Sequence, residues 1–275
     1  MNRFPDPITS PSNPRVRQGA RLREASARRE TGLTLVDGRR ELARAIEAGI
    51  VIDELFLDAD AVTDPARDTL LDTVAAAGAR ITAVAQRPFE KIAFGSRNEG
   101  LVAVVRFSGR PLGSFAVAAD HPVLVIEGVE KPGNLGAILR TADAAGVAGV
   151  IACDPATDPA NPAAIRASLG TVFTVPLAVA TAEEAIAWCA SRGRRVIAAM
   201  PDGKRLWHES ALSGATAMLL GSEAHGLSRH WQEAADRGRI AFETVRLPMR
   251  GIADSLNVSA TAAILAYEAL RQSLP

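Results

Sequence analysis

Cysteine is scarce, with two in 275 residues, and neither Cys153 nor Cys189 belongs to a CxxC or histidine-spaced cluster. This argues against a disulfide framework and a structural zinc, and a reducing cytoplasm is the expected compartment. The four histidines are scattered, so no metal site is expected. Neither sign of charge is in excess, at 31 basic and 31 acidic residues, so a polyanionic partner would have to be met by a local patch. No apolar run approaches the roughly 18–20 residues needed to span a bilayer. Met1-Asn2-Arg3-Phe4-Pro5 has no apolar signal core, so secretion is not expected. The dinucleotide fingerprint GxGxxG and the Walker GxxxxGK[ST] loop are both missing, which leaves an ordinary Rossmann or P-loop nucleotide site without support.

The length suffices for two domains with separate cores. In the first, a helix is expected over 13–29, strands over 34–36, 50–57, 81–84 and 101–107, and helices over 38–48 and 65–77. The poorly periodic stretch 108–118, with Gly109, Pro111 and Gly113, reads as a linker. The alternation then restarts over 119–275. Val123–Ile126 is a short apolar run suited to a strand buried on both faces, and a helix over 134–145 follows. Further strands are expected over 149–153, 172–179, 196–200, 217–220 and 245–247, with helices over 162–169, 182–191 and 255–272. The reading is α/β, with a mainly parallel C-terminal sheet. Residues 1–45 hold ten arginines against five acids, either a solvated helix or a basic patch.

Three segments carry the chemistry. Gly133-Asn134-Leu135-Gly136-Ala137-Ile138-Leu139-Arg140-Thr141 follows the first strand of the second half. Leu220-Gly221-Ser222-Glu223-Ala224-His225-Gly226-Leu227 follows another, and Leu247-Pro248-Met249 ends a third before Ser255-Leu256-Asn257-Val258-Ser259. In open α/β sheets ligands bind outside the carboxyl ends of strands, so the three are expected to converge. Glycine lets a backbone approach a small molecule closely.

In order and spacing these segments resemble the three motifs of the SpoU/TrmH (SPOUT) family of RNA ribose methyltransferases. The layout of residues 1–107 is similar to the small L30e-like substrate-binding domain that many members carry. The resemblance implies a deep trefoil knot in the C-terminal domain, a homodimer, S-adenosylmethionine as cofactor, and methylation of a ribose 2′-hydroxyl. Ribosomal RNA of the large subunit (23S) is the expected substrate, since relatives acting on transfer RNA often lack such an N-terminal domain. Carried over by position, Gly221, Leu247 and Leu256 would contact the cofactor, and Met249 and Ala199 would line the adenine pocket. Arg140 would be the catalytic arginine, with Asn134, Glu223, Ser255 and Asn257 around the reacting centre. One departure is Ala224-His225, where many relatives have Gly-Lys or Gly-Arg.

Each residue has a plainer reading. Arg140 would otherwise be a surface or salt-bridge arginine. Asn134 and Ser255 would each serve as the N-cap of the helix that follows, and Glu223 would satisfy loop amides. Asn257 is a poor residue for a helix interior, which favours a functional role. His121 and His225 read as surface or structural. Arg15, Arg17, Arg21 and Arg23 are the candidate RNA-phosphate contacts. Two other functions stay open: a transfer-RNA ribose methyltransferase, and a non-catalytic RNA-binding or ribosome-assembly protein of the same fold.

Overall fold

The computed structural model describes residues 6–61, 64–94 and 99–274. Met1–Pro5, read above for the lack of a signal core, lies outside the described residues. The chain divides into two compact units. Residues 1–108 join Asp158–Thr174 in one, and Gly109–Thr157 joins Val175–Pro275 in the other. Among the described residues no helix is long and apolar enough to cross a membrane.

The first unit runs α1 (Pro14–Arg21), α2 (Ala25–Thr31), β1 (Leu33–Asp37), α3 (Arg39–Glu47), β2 (Ile52–Asp58), α4 (Pro65–Ala76), β3 (Arg80–Val84), α5 (Gln86–Ile92) and β4 (Leu101–Arg106). The sheet order is β1-β4-β2-β3, with β4 antiparallel to both neighbours and β2 parallel to β3. Val16 and Leu22 pack on Leu35, Phe56, Phe89 and Val102 to form the core. The single helix expected over 13–29 is two helices. Leu22 caps α1, its N–H bonding to the Gly19 carbonyl and the Arg23 N–H to that of Ala20.

Residues 158–174 lie outside the first 108 in sequence yet pack within this unit. Arg28, nearly fully buried, pairs with Asp158 at 2.6 Å and donates to the Leu22 and Arg23 carbonyls. The Thr34 hydroxyl donates to the Ala160 carbonyl, and Arg44 to that of Leu169 at 2.7 Å. The segment supplies α7 (Pro162–Ala167) and α8 (Thr171–Thr174). The extended stretch expected over 172–179 is therefore helical at its start, and its strand begins only at Leu177. In that helical turn the Thr171 hydroxyl donates to the Ser168 carbonyl and the Thr174 hydroxyl to that of Thr171.

The second unit holds β5 (Arg110–Pro111), β6 (Val123–Glu127), α6 (Pro132–Ala144), β7 (Val150–Cys153), β8 (Leu177–Ala180), α9 (Ala182–Ser191), β9 (Arg195–Ala199), β10 (Arg205–Leu206), β11 (Thr216–Leu220), α10 (Arg229–Asp236), β12 (Phe242–Arg246) and α11 (Val258–Ser273). The eight strands pair in the order β10-β12-β9-β11-β6-β7-β8-β5, and every pairing is parallel. The segment 108–118 is thus more than a linker, since its Arg110–Pro111 forms an edge strand beside β8. Proline is tolerated there because an edge strand leaves one side unpaired. β6 and β11 are buried along their whole length, as a sheet covered on both faces requires. Val123 and Val125 join Ile186, Trp188 and Trp231 on one face. On the other, α11 packs on α6 and β11, presenting Val258, Ala262, Leu265, Ala266 and Ala269 at helical spacing.

Burial leaves an electrostatic mark on the first unit. Asp37 ends β1, accepts the Phe94 N–H and lies 3.5 Å from Arg166. Burial nonetheless outweighs both partners and pushes its carboxyl up to about 6, and it raises the neighbouring Glu41 as well. A folded-state value above the unfolded one means that the native state binds the extra proton. Stability is therefore full below about pH 4 and is lost as pH rises through about 6. Unfolding midpoints of the wild type and of Asp37→Asn, measured from pH 4 to pH 7.5, should diverge in favour of the variant as pH rises, by up to about 3 kcal/mol. A difference independent of pH would refute the assignment.

Candidate active site

The carboxyl ends of β9, β11 and β12 and the approach to α11 enclose a cavity of about 270 Å³ in the second unit. Strand β11 ends at Leu220 and turns at once through Gly221. A Cβ there would lie 2.3 Å from the Gly226 carbonyl carbon, so only glycine fits. The turn closes through Ser222 and Gly226, whose backbones exchange hydrogen bonds of 3.1 and 3.0 Å, and the Ser222 hydroxyl accepts the His225 N–H. Leu247 and Met249 follow β12, and Leu256 precedes α11. All five residues expected at a cofactor, namely Ala199, Gly221, Leu247, Met249 and Leu256, line this one cavity.

A polar network stands at its edge. Glu223 Oε1 accepts from Asn134 Nδ2 at 2.8 Å, Asn257 Nδ2 at 2.9 Å and the Val258 N–H at 3.4 Å. Asn257 Nδ2 also reaches Asn134 Oδ1 at 3.2 Å. Glu223 Oε2 faces Lys131 Nζ at 3.9 Å. Three segments more than thirty residues apart in the chain thus meet at one carboxylate. Ser255 lines the cavity and is exposed.

Both capping expectations change. Pro132 occupies the first position of α6, where its missing N–H costs nothing, and Lys131 precedes it as the cap residue. Asn134 therefore falls inside the first turn and points its amide at Glu223. The last helix begins at Val258, and its cap is Asn257, whose Oδ1 accepts the Ser259 N–H at 2.9 Å, rather than Ser255. Asn257, expected inside the helix, is instead its cap, so the helix-interior argument for its role does not hold; it uses its oxygen for the helix and its nitrogen for Glu223.

Arg140 is not drawn into this network. It is exposed on α6, lines no part of the cavity, and has no hydrogen-bond or ion-pair partner among the described residues. The N-terminal arginines also separate. Arg15 is bound to Glu54 and Thr82, Arg21 lies 3.7 Å from Glu30, and Arg23 donates to the Ala93 carbonyl. Arg17 is exposed without such a partner among the described residues. His121 pairs with Asp120 at the surface, and His225 is exposed. Burial pushes the Cys189 thiol up to about 12 and raises Cys153 too, so neither supplies a thiolate. The described residues hold no group of three or more potential metal-ligating side chains.

The sequence profile of the SpoU rRNA Methylase family matches residues 121–267, more than half of the chain. The chain belongs to this family. A second profile, the MRM3-like substrate binding domain, matches residues 13–103. Over 264 residues the SpoU-family chain is 31% identical to the 23S rRNA (uridine(2479)-2′-O)-methyltransferase of Streptomyces viridochromogenes, covering 93% of this chain and 88% of the relative. An RNA 2′-O ribose methyltransferase of known structure superposes with a TM-score of 0.83 at 36% identity, covering 97% of this chain and 99% of the other. An AdoMet-bound rRNA methyltransferase from Sinorhizobium meliloti superposes at 0.85 and 28% identity, covering 98% and 99%. The pattern of motifs and spacing identified the family from sequence. Glu127, buried at the end of β6, escaped that reading, although an acid closing a fully apolar strand was a visible signal.

Gly221→Ala should lower stability by about 2 kcal/mol or more, because the added methyl meets backbone that cannot move aside. Gly133→Ala, where a Cβ meets nothing within 4 Å, should be neutral or slightly stabilising in the same thermal melt. Equal midpoints for the two variants would contradict the close packing of the 221–226 turn.

Proposed function

We propose that this chain is an S-adenosylmethionine-dependent RNA 2′-O-ribose methyltransferase acting on 23S ribosomal RNA. The observation that carries the reading is the cavity at the carboxyl edge of a parallel sheet, bordered by a carboxylate on which all three motifs converge. The donor set fits such a cofactor, because apolar side chains of Leu247, Met249 and Leu256 suit an adenine ring and turn backbone offers hydrogen bonds to its polar edge. When bound, the cofactor supplies a methyl group already activated on a sulfonium.

The work left to the chain is alignment and management of one proton. Glu223 locks Asn134 and Asn257 in place, so the reacting centre is pre-organised without a mobile polar group. Arg140 bears a planar guanidinium suited to bidentate contact with phosphate. Its role is to hold the phosphate beside the target ribose and to stabilise negative charge as it develops on the 2′-oxygen. Arg17, Arg21 and Arg23 contribute to RNA binding, whereas Arg15 is committed to Glu54 and acts structurally. The first unit serves as the substrate-binding domain, of L30e-like layout. The C-terminal domain carries the deep trefoil knot that the family resemblance implies. The protein works in the cytoplasm as a homodimer, and exposed Tyr267 and Leu274 on and after α11 support such an interface.

Transfer of a labelled methyl group from S-adenosylmethionine to unmodified 23S rRNA, with transfer RNA in parallel, should label a single ribose in the 23S rRNA. Label confined to transfer RNA would replace the substrate, and failure to bind the cofactor would favour a non-catalytic RNA-binding protein. The exposure of Arg140 supports service to the partner's site. Mixed Arg140→Ala and Glu223→Ala chains, each inactive alone, should then recover about a quarter of wild-type activity through random pairing. No recovery on mixing would place Arg140 in its own chain's site.

A further inference from the structure

Glu127 is a charged residue at the end of an otherwise wholly apolar strand. It is 7% exposed, whereas Val123, Leu124, Val125 and Ile126 are fully buried. A carboxylate in such surroundings is costly unless its oxygens are engaged. Its Oε2 accepts the Ser228 N–H at 2.9 Å, across 101 residues of sequence. Ser228 directly follows the turn whose Gly221, Ser222, Gly226 and Leu227 form one wall of the cavity, and it caps α10. A second contact confirms that this turn rests on the end of β6. Gly128 adopts φ +66°, and a Cβ there would lie 3.2 Å from the Ser222 Cβ.

From this geometry we infer that Glu127 is a positioning residue, which ties the 221–228 turn to the central strand and so sets affinity for the cofactor. The inference rests on the proposed methyltransferase reading. β6 is hydrogen-bonded on both sides, to β11 and β7, and so gives the turn a support held within the sheet. Two hinge points of the turn are thereby fixed. Gly221 leaves β11 at one end, and Ser228 is held by Glu127 at the other. Without the second, the Gly226–Leu227 side of the wall loses its tie to the central strand, while Glu223 still holds the tip of the turn, and ligand binding must supply part of the ordering. Glu127 lines no part of the cavity itself, so its influence passes through backbone.

The test separates this bond from a general effect on folding. Glu127→Gln keeps an acceptor for the Ser228 N–H, whereas Glu127→Leu removes it and leaves an apolar side chain in an apolar site. Ser228→Pro removes the donor instead, at a φ of −67° that proline itself prefers. S-adenosylmethionine dissociation constants are measured for all three variants, for the Leu/Pro double variant and for the wild type, with thermal melts alongside. Glu127→Leu and Ser228→Pro should each weaken binding by about 10- to 100-fold, the range expected for a lost charge-assisted hydrogen bond. Turnover at saturating cofactor should change far less than KM. Glu127→Gln should bind within about twofold of the wild type, and the double variant no worse than either single one, since both act on one bond. Unchanged binding by folded Glu127→Leu would overturn the inference. So would Leu and Pro effects that multiply, or folded Glu127→Gln behaving like Glu127→Leu. Failure of the wild type to bind would overturn the underlying reading, a separable result.

Discussion

One carboxylate oxygen gathers the site. Glu223 Oε1 receives hydrogen bonds from Asn134, Asn257 and the Val258 backbone, which belong to the first turn of α6 and the cap and first residue of α11. A carboxylate can accept several hydrogen bonds at once and strengthens each through its charge. A neutral amide at position 223 would bring its own donors into the same space and compete with those of both asparagines. The bonds therefore explain why the three segments carry these residue types. Two amide donors and a helix-start N–H need one shared acceptor, and the turn after β11 supplies it.

That meeting depends in turn on the sheet. All eight strands run parallel, so every strand end that carries a loop of the site lies at the same edge. β9, β11 and β12 are neighbours in the sheet, although β10 intervenes between β9 and β11 in the chain. Apolar burial on both faces of β6 and β11 makes this edge rigid. α11 then packs its small-residue stripe on α6 and β11, and so brings Asn257 to Glu223. Alanines at 262, 266 and 269 permit this close approach, and bulkier residues there would lift the cap away from the carboxylate.

Much of this was legible in the chain. Short continuous apolar runs located the principal strands, and the strand-to-turn placement of the three motifs predicted one shared edge. The five expected cofactor residues, which the resemblance supplied by position, line a single cavity at that edge. Less legible were features set by distant partners. Ser255 and Asn257 are both competent caps, and only Glu223, more than thirty residues away, decides between them by engaging the Asn257 amide. Asn134 is a cap by residue type, but Pro132, two residues earlier, takes the first helical position and leaves Asn134 inside the first turn. Residues 158–174 carry no mark of joining the first unit, since Arg28, Thr34 and Arg44, which hold them, lie more than a hundred residues upstream.

Charge was the least legible property, and the reason bears on how RNA is met. Ten arginines in the first 45 residues suggested a broad basic patch, but an arginine count does not separate guanidinium groups that fold the protein from those left free. Arg15, Arg28, Arg39 and Arg44 are engaged by Glu54, Asp158, Asp64 and the Leu169 carbonyl. Each of the three ion pairs cancels a charge that a phosphate would otherwise feel. The turn after β11 adds no lysine or arginine, because Ala224-His225 stands where many relatives have Gly-Lys or Gly-Arg, while Gly226 adopts φ +65°. With net charge at zero, long-range attraction to a polyanion is weak. On the proposed methyltransferase reading, recognition rests on a few unengaged guanidinium groups such as Arg17 and Arg140 placed against particular phosphates. Such a protein discriminates among RNAs by shape more than by charge density.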